Sequence, residues 1–208
     1  MRVKVCGITT LEDALSAAGE GVDALGFNFY QESPRYIDPA SARSIISRLP
    51  PFVAVVGLFV NVSDPGEVAR LAGAAGVHTL QLHGEETPEY CGRLAEWPLI
   101  KAFRVDDRLN SDDFERYQVS AFLLDAHDEG LWGGTGRAFD WTLAKGIRGR
   151  RPIILAGGLK PENVGRAIRT VQPYAVDVCS GVEASPGRKD AARLREFMSE
   201  VRHASQSL

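Results

Sequence analysis

The stretch IILAGGL at residues 153–159 is an apolar run that ends in two glycines, and Pro161 follows it two residues later. Apolar residues throughout such a run are typical of a parallel β-strand that is covered on both faces. A proline suits the first turn of a helix, where its missing N–H leaves no hydrogen bond unmade. The stretch therefore predicts a strand, a glycine turn and a helix in succession.

The same succession repeats along the whole chain. Eight apolar runs are each followed by a helix-like segment, and strands that alternate with helices form a parallel sheet with right-handed crossovers. The runs cover Val3–Cys6, Asp23–Phe29, Val53–Val60, Thr79–His83, Leu99–Val105, Ala121–Asp125, Ile153–Ala156 and Ala175–Cys179. Eight such units predict an α/β fold, a single (β/α)8 TIM barrel over residues 1–208. An open doubly wound sheet is the alternative.

Helix starts are marked by capping residues. Thr9 and Glu12 have the spacing of a capping box, in which each side chain accepts a hydrogen bond from a backbone N–H of the first turn. Asp38, Asp64 and Thr87 each stand directly before a proline, which predicts three further N-caps.

Composition excludes several classes of protein. The 208 residues are 44% hydrophobic and 25% charged, as in a soluble globular protein, and the formal net charge of −3 argues against a nucleic-acid partner. No apolar stretch approaches the roughly 20 residues that cross a bilayer, and Met1–Thr10 lack the apolar core of a secretion signal. Three widely spaced cysteines fit neither a disulfide framework nor a zinc cluster, so we expect reduced thiols and a cytoplasmic location.

Two reactive side chains end predicted strands, where the active site of such a barrel lies. Asp125 could be a turn or capping residue, but the next predicted helix begins near residues 139–140, too far along to be capped. A partly desolvated carboxyl at this position can serve as a general acid. Cys6 precedes Gly7 and is either a small buried apolar residue or, beside a cation, a thiolate that can act as a base.

Two further side chains are candidates for contacting a substrate. Arg35 follows Pro34 in the loop after the second run. It could be a solvated charge on the loop. Alternatively, it could bind an anion, because the proline stiffens the loop and a guanidinium fits a carboxylate. His83 ends the fourth run and is either a structural histidine or a supporting polar group of the site.

The last two strand ends carry glycines that predict a phosphate site. Gly157 and Gly158 follow the seventh run, and Ser180 and Gly181 follow the eighth. Glycines let backbone N–H groups approach an anion closely, and these two loops are the usual phosphate position in such barrels. We therefore expect a phosphorylated small molecule as the substrate.

Together these stretches resemble the phosphoribosylanthranilate isomerase family from end to end. The resemblance rests on KVCGIT at residues 4–9, GFNF at 26–29, SPRY at 33–36, QLHG at 81–84, LD at 124–125, GGTG at 133–136, FDW at 139–141, LAGGL at 155–159, PENV at 161–164, SGVE at 180–183, PG at 186–187 and KD at 189–190. One residue departs from the family pattern: Cys179 stands where a serine is expected.

The resemblance implies an isomerase of tryptophan biosynthesis that performs an Amadori rearrangement of an aldose amine to a ketose amine. It implies Asp125 as the general acid, Cys6 as the general base and Arg35 as the group that holds the anthranilate carboxylate. Ring opening and proton transfer need no cofactor and no metal. We expect a monomer or a homodimer, without a membrane partner.

Two other functions compete with this interpretation. A related barrel isomerase of histidine biosynthesis acts on a similar aminoaldose, but that family has an acidic residue where Cys6 stands. A barrel that binds a phosphorylated ligand without turnover is the second alternative, and the presence of Cys6, Asp125 and Arg35 argues against it.

Alternation along neighbouring strands also predicts two side-chain pairs. Lys4 shares a strand face with Cys6, and Asp177 shares one with Cys179. Since the first and eighth strands are neighbours in a closed barrel, we expect Lys4 to pair with Asp177 in its interior. The thiols of Cys6 and Cys179 would then lie close together if both face the mouth of the barrel.

Overall fold

In the computed structural model, which describes residues 1–104, 114–125 and 151–206, eight parallel strands form a closed barrel. The strands are β1 Arg2–Val5, β2 Ala24–Asn28, β3 Ala54–Phe59, β4 Thr79–Leu82, β5 Leu99–Arg104, β6 Ala121–Asp125, β7 Ile153–Ala156 and β8 Ala175–Val178. Each strand pairs with the next in the chain, and β8 closes the ring by pairing with β1. The predicted barrel is confirmed, and the open sheet is excluded.

Helices follow most of the strands within the described residues. They are α1 Leu11–Gly19, α2 Pro39–Ile46, α3 Pro65–Ala75, α4 Pro88–Gly92, α5 Pro161–Val171 and α6 Ala191–Ser205. After β8 the chain forms a 3-10 turn at Ser180–Val182 and a small antiparallel hairpin of β9 Glu183–Ser185 and β10 Arg188–Lys189. The sequence patterns did not predict this hairpin. None of the helices described is long and apolar enough to span a membrane.

The helix caps agree with the sequence at three of four positions. Asp38, Asp64 and Thr87 each accept a hydrogen bond from the first helical turn that follows. The capping box predicted at Thr9 is wrong, because the neighbouring Thr10 caps α1. The hydroxyl of Thr9 instead donates to the carbonyl of Gly187, which ties the loop after β1 to the β9–β10 hairpin.

The predicted strand bounds are correct to within one or two residues. Cys6, His83 and Cys179 lie just beyond the strands that they were expected to end. Cys6 and His83 still continue their ladders, since the N–H of Cys6 donates to the carbonyl of Val178 at 2.8 Å. Val105, the GGTG stretch at 133–136 and the helix start predicted near 139–140 lie outside the described residues.

Alternation along the strands separates two packed regions. Residues that face the barrel interior form one apolar cluster: Ala24, Val56, Ile100, Ala102, Ala121, Leu123, Ile154, Ala156 and Ala175. A larger cluster lies between the strands and the helices. Because side chains alternate, Asp125 and Asp177 share the interior face with Leu123 and Ala175. The polar groups on this face sit above the apolar cluster, toward the C-terminal ends of the strands.

Candidate active site

A cavity of about 230 Å³ opens at the C-terminal ends of the strands. Seven of the eight predicted site residues line it: Cys6, Arg35, His83, Asp125, Gly157, Gly158 and Ser180. Gly181, the eighth, follows Ser180, and its backbone packs against the carbonyl oxygen of Leu159, with which any Cβ at position 181 would collide. Gly181 therefore allows the loops after β7 and β8 to approach each other.

Cys6 lies directly after β1 and is only 6% exposed. Its Sγ faces Gly26 of β2, where an added Cβ would come within 2.8 Å of the sulfur. A side chain at position 26 would therefore push the thiol out of place. The glycine lets Cys6 sit inside the ring of strands with its sulfur toward the cavity.

Asp125, at the end of β6, is connected to a chain of polar groups. His83 Nε2 lies 3.1 Å from Asp125 Oδ2, and His83 Nδ1 lies 2.8 Å from the side-chain nitrogen of Gln81. Because that amide nitrogen can only donate, Nδ1 accepts and Nε2–H donates to the carboxylate. Gln81 is fully buried, and its Oε1 has no hydrogen-bond partner among the described residues.

Arg35 holds an internal carboxylate in this structure. Its Nε lies 2.9 Å and its Nη2 2.6 Å from the two carboxylate oxygens of Glu183. Lys189 Nζ lies 2.8 Å from the same carboxylate. Burial raises the pKa of Glu183, but the hydrogen bonds from Arg35 and Lys189 outweigh it and hold the pKa below its ordinary value.

The loop after β7 has the shape of an anion cradle. Gly157 and Gly158 have φ values of +84° and +61°, which suit glycine. Within the described residues, neither N–H donates to another group. Asn163, in the first turn of α5, donates to the carbonyl of Gly158 at 2.9 Å and so fixes the loop against the helix start.

Comparisons with known proteins agree with this geometry. The sequence model of the family described as N-(5'phosphoribosyl)anthranilate (PRA) isomerase matches residues 3–200. The N-(5'-phosphoribosyl)anthranilate isomerase of Geobacter sulfurreducens is 53% identical over 198 residues, which are 95% of this chain and 97% of that protein. The chain belongs to the phosphoribosylanthranilate isomerase family.

Two solved structures of that family resemble the present fold closely. The phosphoribosyl anthranilate isomerase of Thermotoga maritima has a TM-score of 0.87 and 45% sequence identity, with 98% of this chain and 99% of that chain covered. A second phosphoribosyl anthranilate isomerase structure holds reduced 1-(o-carboxyphenylamino)-1-deoxyribulose 5-phosphate. It has a TM-score of 0.84 and 44% identity, again with 98% and 99% coverage.

Several residues of this phosphoribosylanthranilate isomerase site were not singled out from the sequence. Glu183 and Lys189 belong to the stretches that resemble the family, but only the turn at Gly187 between them signals that a hairpin brings them together. Gln81 could have been noticed as an amide in an apolar strand, two residues before His83. In the described part of the chain, no three His, Cys, Asp or Glu side chains are grouped to hold a metal ion.

Proposed function

We propose that the chain converts N-(5'-phosphoribosyl)anthranilate to 1-(2-carboxyphenylamino)-1-deoxyribulose 5-phosphate, an Amadori rearrangement in tryptophan biosynthesis, with Cys6 as general base and Asp125 as general acid. The observation that supports these roles is that a thiol and a carboxyl share one cavity with an arginine and the glycine turn after β7. The reaction needs an acid, a base and a group to hold each of two anionic ends, and the cavity supplies all four.

The first step assigned to this site opens the ribose ring. Asp125 gives a proton to the ring oxygen, the bond from that oxygen to C1 breaks, and the nitrogen lone pair forms an iminium at C1. The carboxylate left behind accepts the hydrogen bond from His83 Nε2–H. A hydrogen bond to a charged carboxylate is stronger than one to the neutral acid, so His83 stabilises the product of this step.

The second step moves a proton from C2. The thiolate of Cys6 removes it, and the freed electron pair forms the C1=C2 bond and neutralises the iminium nitrogen. Protonation of C1 and loss of the proton from the C2 hydroxyl then give the ketone. The oxidation of C2 is balanced by the reduction of C1 within one molecule, so the step requires no external electron acceptor.

The two anionic ends of the substrate fit two parts of the cavity. The loops at Gly157, Gly158 and Ser180 suit the phosphate, since their backbone lies open to it. Arg35 suits the anthranilate carboxylate. Arg35 and Lys189 together carry one more positive charge than Glu183 neutralises, so the cluster attracts a second carboxylate.

The direct test is turnover by the purified chain. With N-(5'-phosphoribosyl)anthranilate, we expect loss of the substrate's fluorescence and formation of the ketose, identified by NMR. The aminoaldose of histidine biosynthesis, supplied at the same concentration, is expected to react far more slowly. Binding of the first substrate without turnover would identify a non-catalytic barrel and contradict the proposal.

The state of the cysteines bears on where the protein is located. Cys6, Cys91 and Cys179 are all free thiols, which fits a reducing compartment such as the cytoplasm. We expect a monomer or a homodimer, and light scattering on the eluting protein distinguishes the two. A disulfide-linked form isolated from cells would contradict the cytoplasmic location.

A further inference from the structure

Lys4 lies on the interior face of β1, two residues before Cys6. Side chains two apart along a strand share a face, so Lys4 and Cys6 both project into the barrel. Lys4 is 4% exposed, and it is the residue of β1 that pairs in register with Asp177 of β8. A lysine enclosed in this way is unusual, because most of the residues packed inside the barrel are apolar.

The lysine side chain extends between an acid and the thiol. Its Nζ lies 2.8 Å from Asp177 Oδ2, as the sequence predicted. Its Cε and the Sγ of Cys6 both lie within 3.1 Å of the point where a Cβ on Gly26 would stand. The missing side chain of Gly26 therefore brings the end of the lysine and the sulfur together.

We propose that Lys4 is a positioning residue for the reaction, whose ammonium group stabilises the thiolate of Cys6 from beneath the cavity. The inference rests on the proposed function, in which Cys6 acts as a base and must therefore lose its proton. A cation beside a thiol favours the thiolate, and its effect is largest where water is excluded. Asp177 in turn keeps the ammonium charged inside the apolar interior.

Titratable side chains from several elements surround Cys6. Lys4 lies on β1, and Arg35 lies in the loop after β2. Asp177 lies on β8, and Cys179 follows it. His83, after β4, and Asp125, at the end of β6, line the same cavity. Burial lowers the pKa of Lys4, but the charges of Asp177 and Cys6 outweigh it and raise the pKa above its ordinary value.

The second thiol near Lys4 is that of Cys179. Burial, together with the charge of Cys6, raises the pKa of Cys179 to about 12. Cys179 is therefore a neutral thiol at physiological pH and adds no negative charge beside Cys6. Of the two thiols at this end of the barrel, the one that shares a face with Lys4 is the one assigned as the base.

The test measures the thiol itself rather than turnover. In a Cys91→Ala/Cys179→Ser background, Cys6 is the remaining thiol, and its alkylation by iodoacetamide is followed by mass spectrometry from pH 5 to 10. We expect Lys4→Met to move the pH midpoint of alkylation upward by about one unit or more, so that the rate at pH 7 falls about tenfold or more. Lys4→Gln, which keeps a polar group but no charge, is expected to do the same.

Lys101→Met provides the matched control. Lys101 is also a buried lysine, paired with Glu86 at 3.0 Å, but it projects from the opposite face of the sheet to Ile100 and Ala102. Its loss should leave the alkylation midpoint of Cys6 unchanged. Equal midpoints for Lys4→Met, Lys101→Met and the unsubstituted background would overturn the proposal.

A variant that retains the charge covers the case in which neither Lys4→Met nor Lys4→Gln folds. In the Cys91→Ala/Cys179→Ser background, Lys4→Arg keeps a cation beside the thiol, so the alkylation midpoint of Cys6 is expected to stay close to that of the background protein. An upward shift of about one unit or more in Lys4→Arg would contradict a stabilising cation. These results do not depend on the catalytic role of Cys6, which is tested separately by turnover of Cys6→Ala.

Discussion

Glu183 binds Arg35 through both carboxylate oxygens, at 2.9 Å to Nε and 2.6 Å to Nη2. The arginine that the sequence assigns to the substrate is thus held in place by an acid of the same chain. Glu183 comes from the first strand of the hairpin after β8, and Lys189 from the second strand binds the same carboxylate. The hairpin orients the guanidinium toward the cavity.

This cluster predicts a specific dependence of stability on pH. The pKa of Glu183 is held below its ordinary value of 4.5, so its ionised form stabilises the folded state fully above pH 4.5. That contribution is lost as the pH falls below 4.5. Glu183→Gln should therefore unfold at a lower urea concentration than the wild type at pH 6. The difference between the two urea midpoints should be smaller at pH 3. If the difference in urea midpoint is the same at both pH values, the ionised Glu183 does not stabilise the fold through Arg35 and Lys189.

The buried Lys4–Asp177 pair makes a second prediction. Removing one partner strands the other charge, so Lys4→Met and Asp177→Asn should each lower the free energy of unfolding by about 3–5 kcal/mol. The double variant should lose clearly less than the two single losses combined. Urea denaturation of the four proteins measures this coupling. Additive losses would show that the two side chains do not interact energetically.

The glycine loop predicts how phosphate is held. Inorganic phosphate should inhibit competitively, because a backbone cradle recognises the anion alone. Gly158→Val should raise KM, since it places a Cβ toward the open space that the phosphate needs and strains a backbone with a φ of +61°.

Gly21→Val is the matched control for that strain. Gly21 also has a positive φ, +84°, and open space around its Cβ position, but it follows α1, away from the cavity. Both variants should lose stability, and only Gly158→Val should change KM. A similar KM for both would show that the loop after β7 does not bind the phosphate.

Cys6 and Cys179 make a fourth prediction. Val5 and Val178 are register partners, so the two cysteines that follow them lie side by side, and both line the cavity. Adjacent strands are about 4.8 Å apart, a separation that a disulfide can bridge. Diamide, which takes up the two thiol hydrogens, should join the sulfurs and stop turnover, and dithiothreitol should restore it.

Cys179→Ser separates this pairing from other oxidation. The variant should turn over normally and resist reversible inactivation by diamide. Peptide mapping after treatment should find Cys6 linked to Cys179 in the wild type. Recovery of Cys6 as a free thiol or as a sulfenic acid would exclude the pairing and leave its proposed role as a base untouched.

Most of the fold could be predicted from the sequence because strand burial and helix capping are local properties. The eight apolar runs and the Asp38, Asp64 and Thr87 caps needed no knowledge of distant parts of the chain. Thr9 was misassigned because its hydroxyl binds Gly187, which is 178 residues away. Local spacing carries no information about such a partner.

The active site also has some features that the local sequence predicts and others that depend on distant parts of the chain. Cys6 and Asp125 could be placed in one cavity because the C-terminal ends of parallel strands share one end of a barrel. The ion pair between Arg35 and Glu183 could not be predicted, because it depends on the hairpin that contains Glu183 and Lys189. The packing of Gly181 could not be predicted for a related reason: its contact is with the backbone of Leu159 in the neighbouring loop, and only the folded structure shows it.

The assignment of Cys6 as base and Asp125 as acid is tested most directly by separating turnover from binding. Cys6→Ala and Asp125→Asn should each lower kcat by about 10²–10⁴-fold, the usual cost of losing a general acid or base. Both should bind reduced 1-(o-carboxyphenylamino)-1-deoxyribulose 5-phosphate with a Kd close to that of the wild type, and Cys91→Ala and Asp38→Asn should change neither quantity. A near-normal kcat in either cavity variant, with circular dichroism showing an intact fold, would contradict the account.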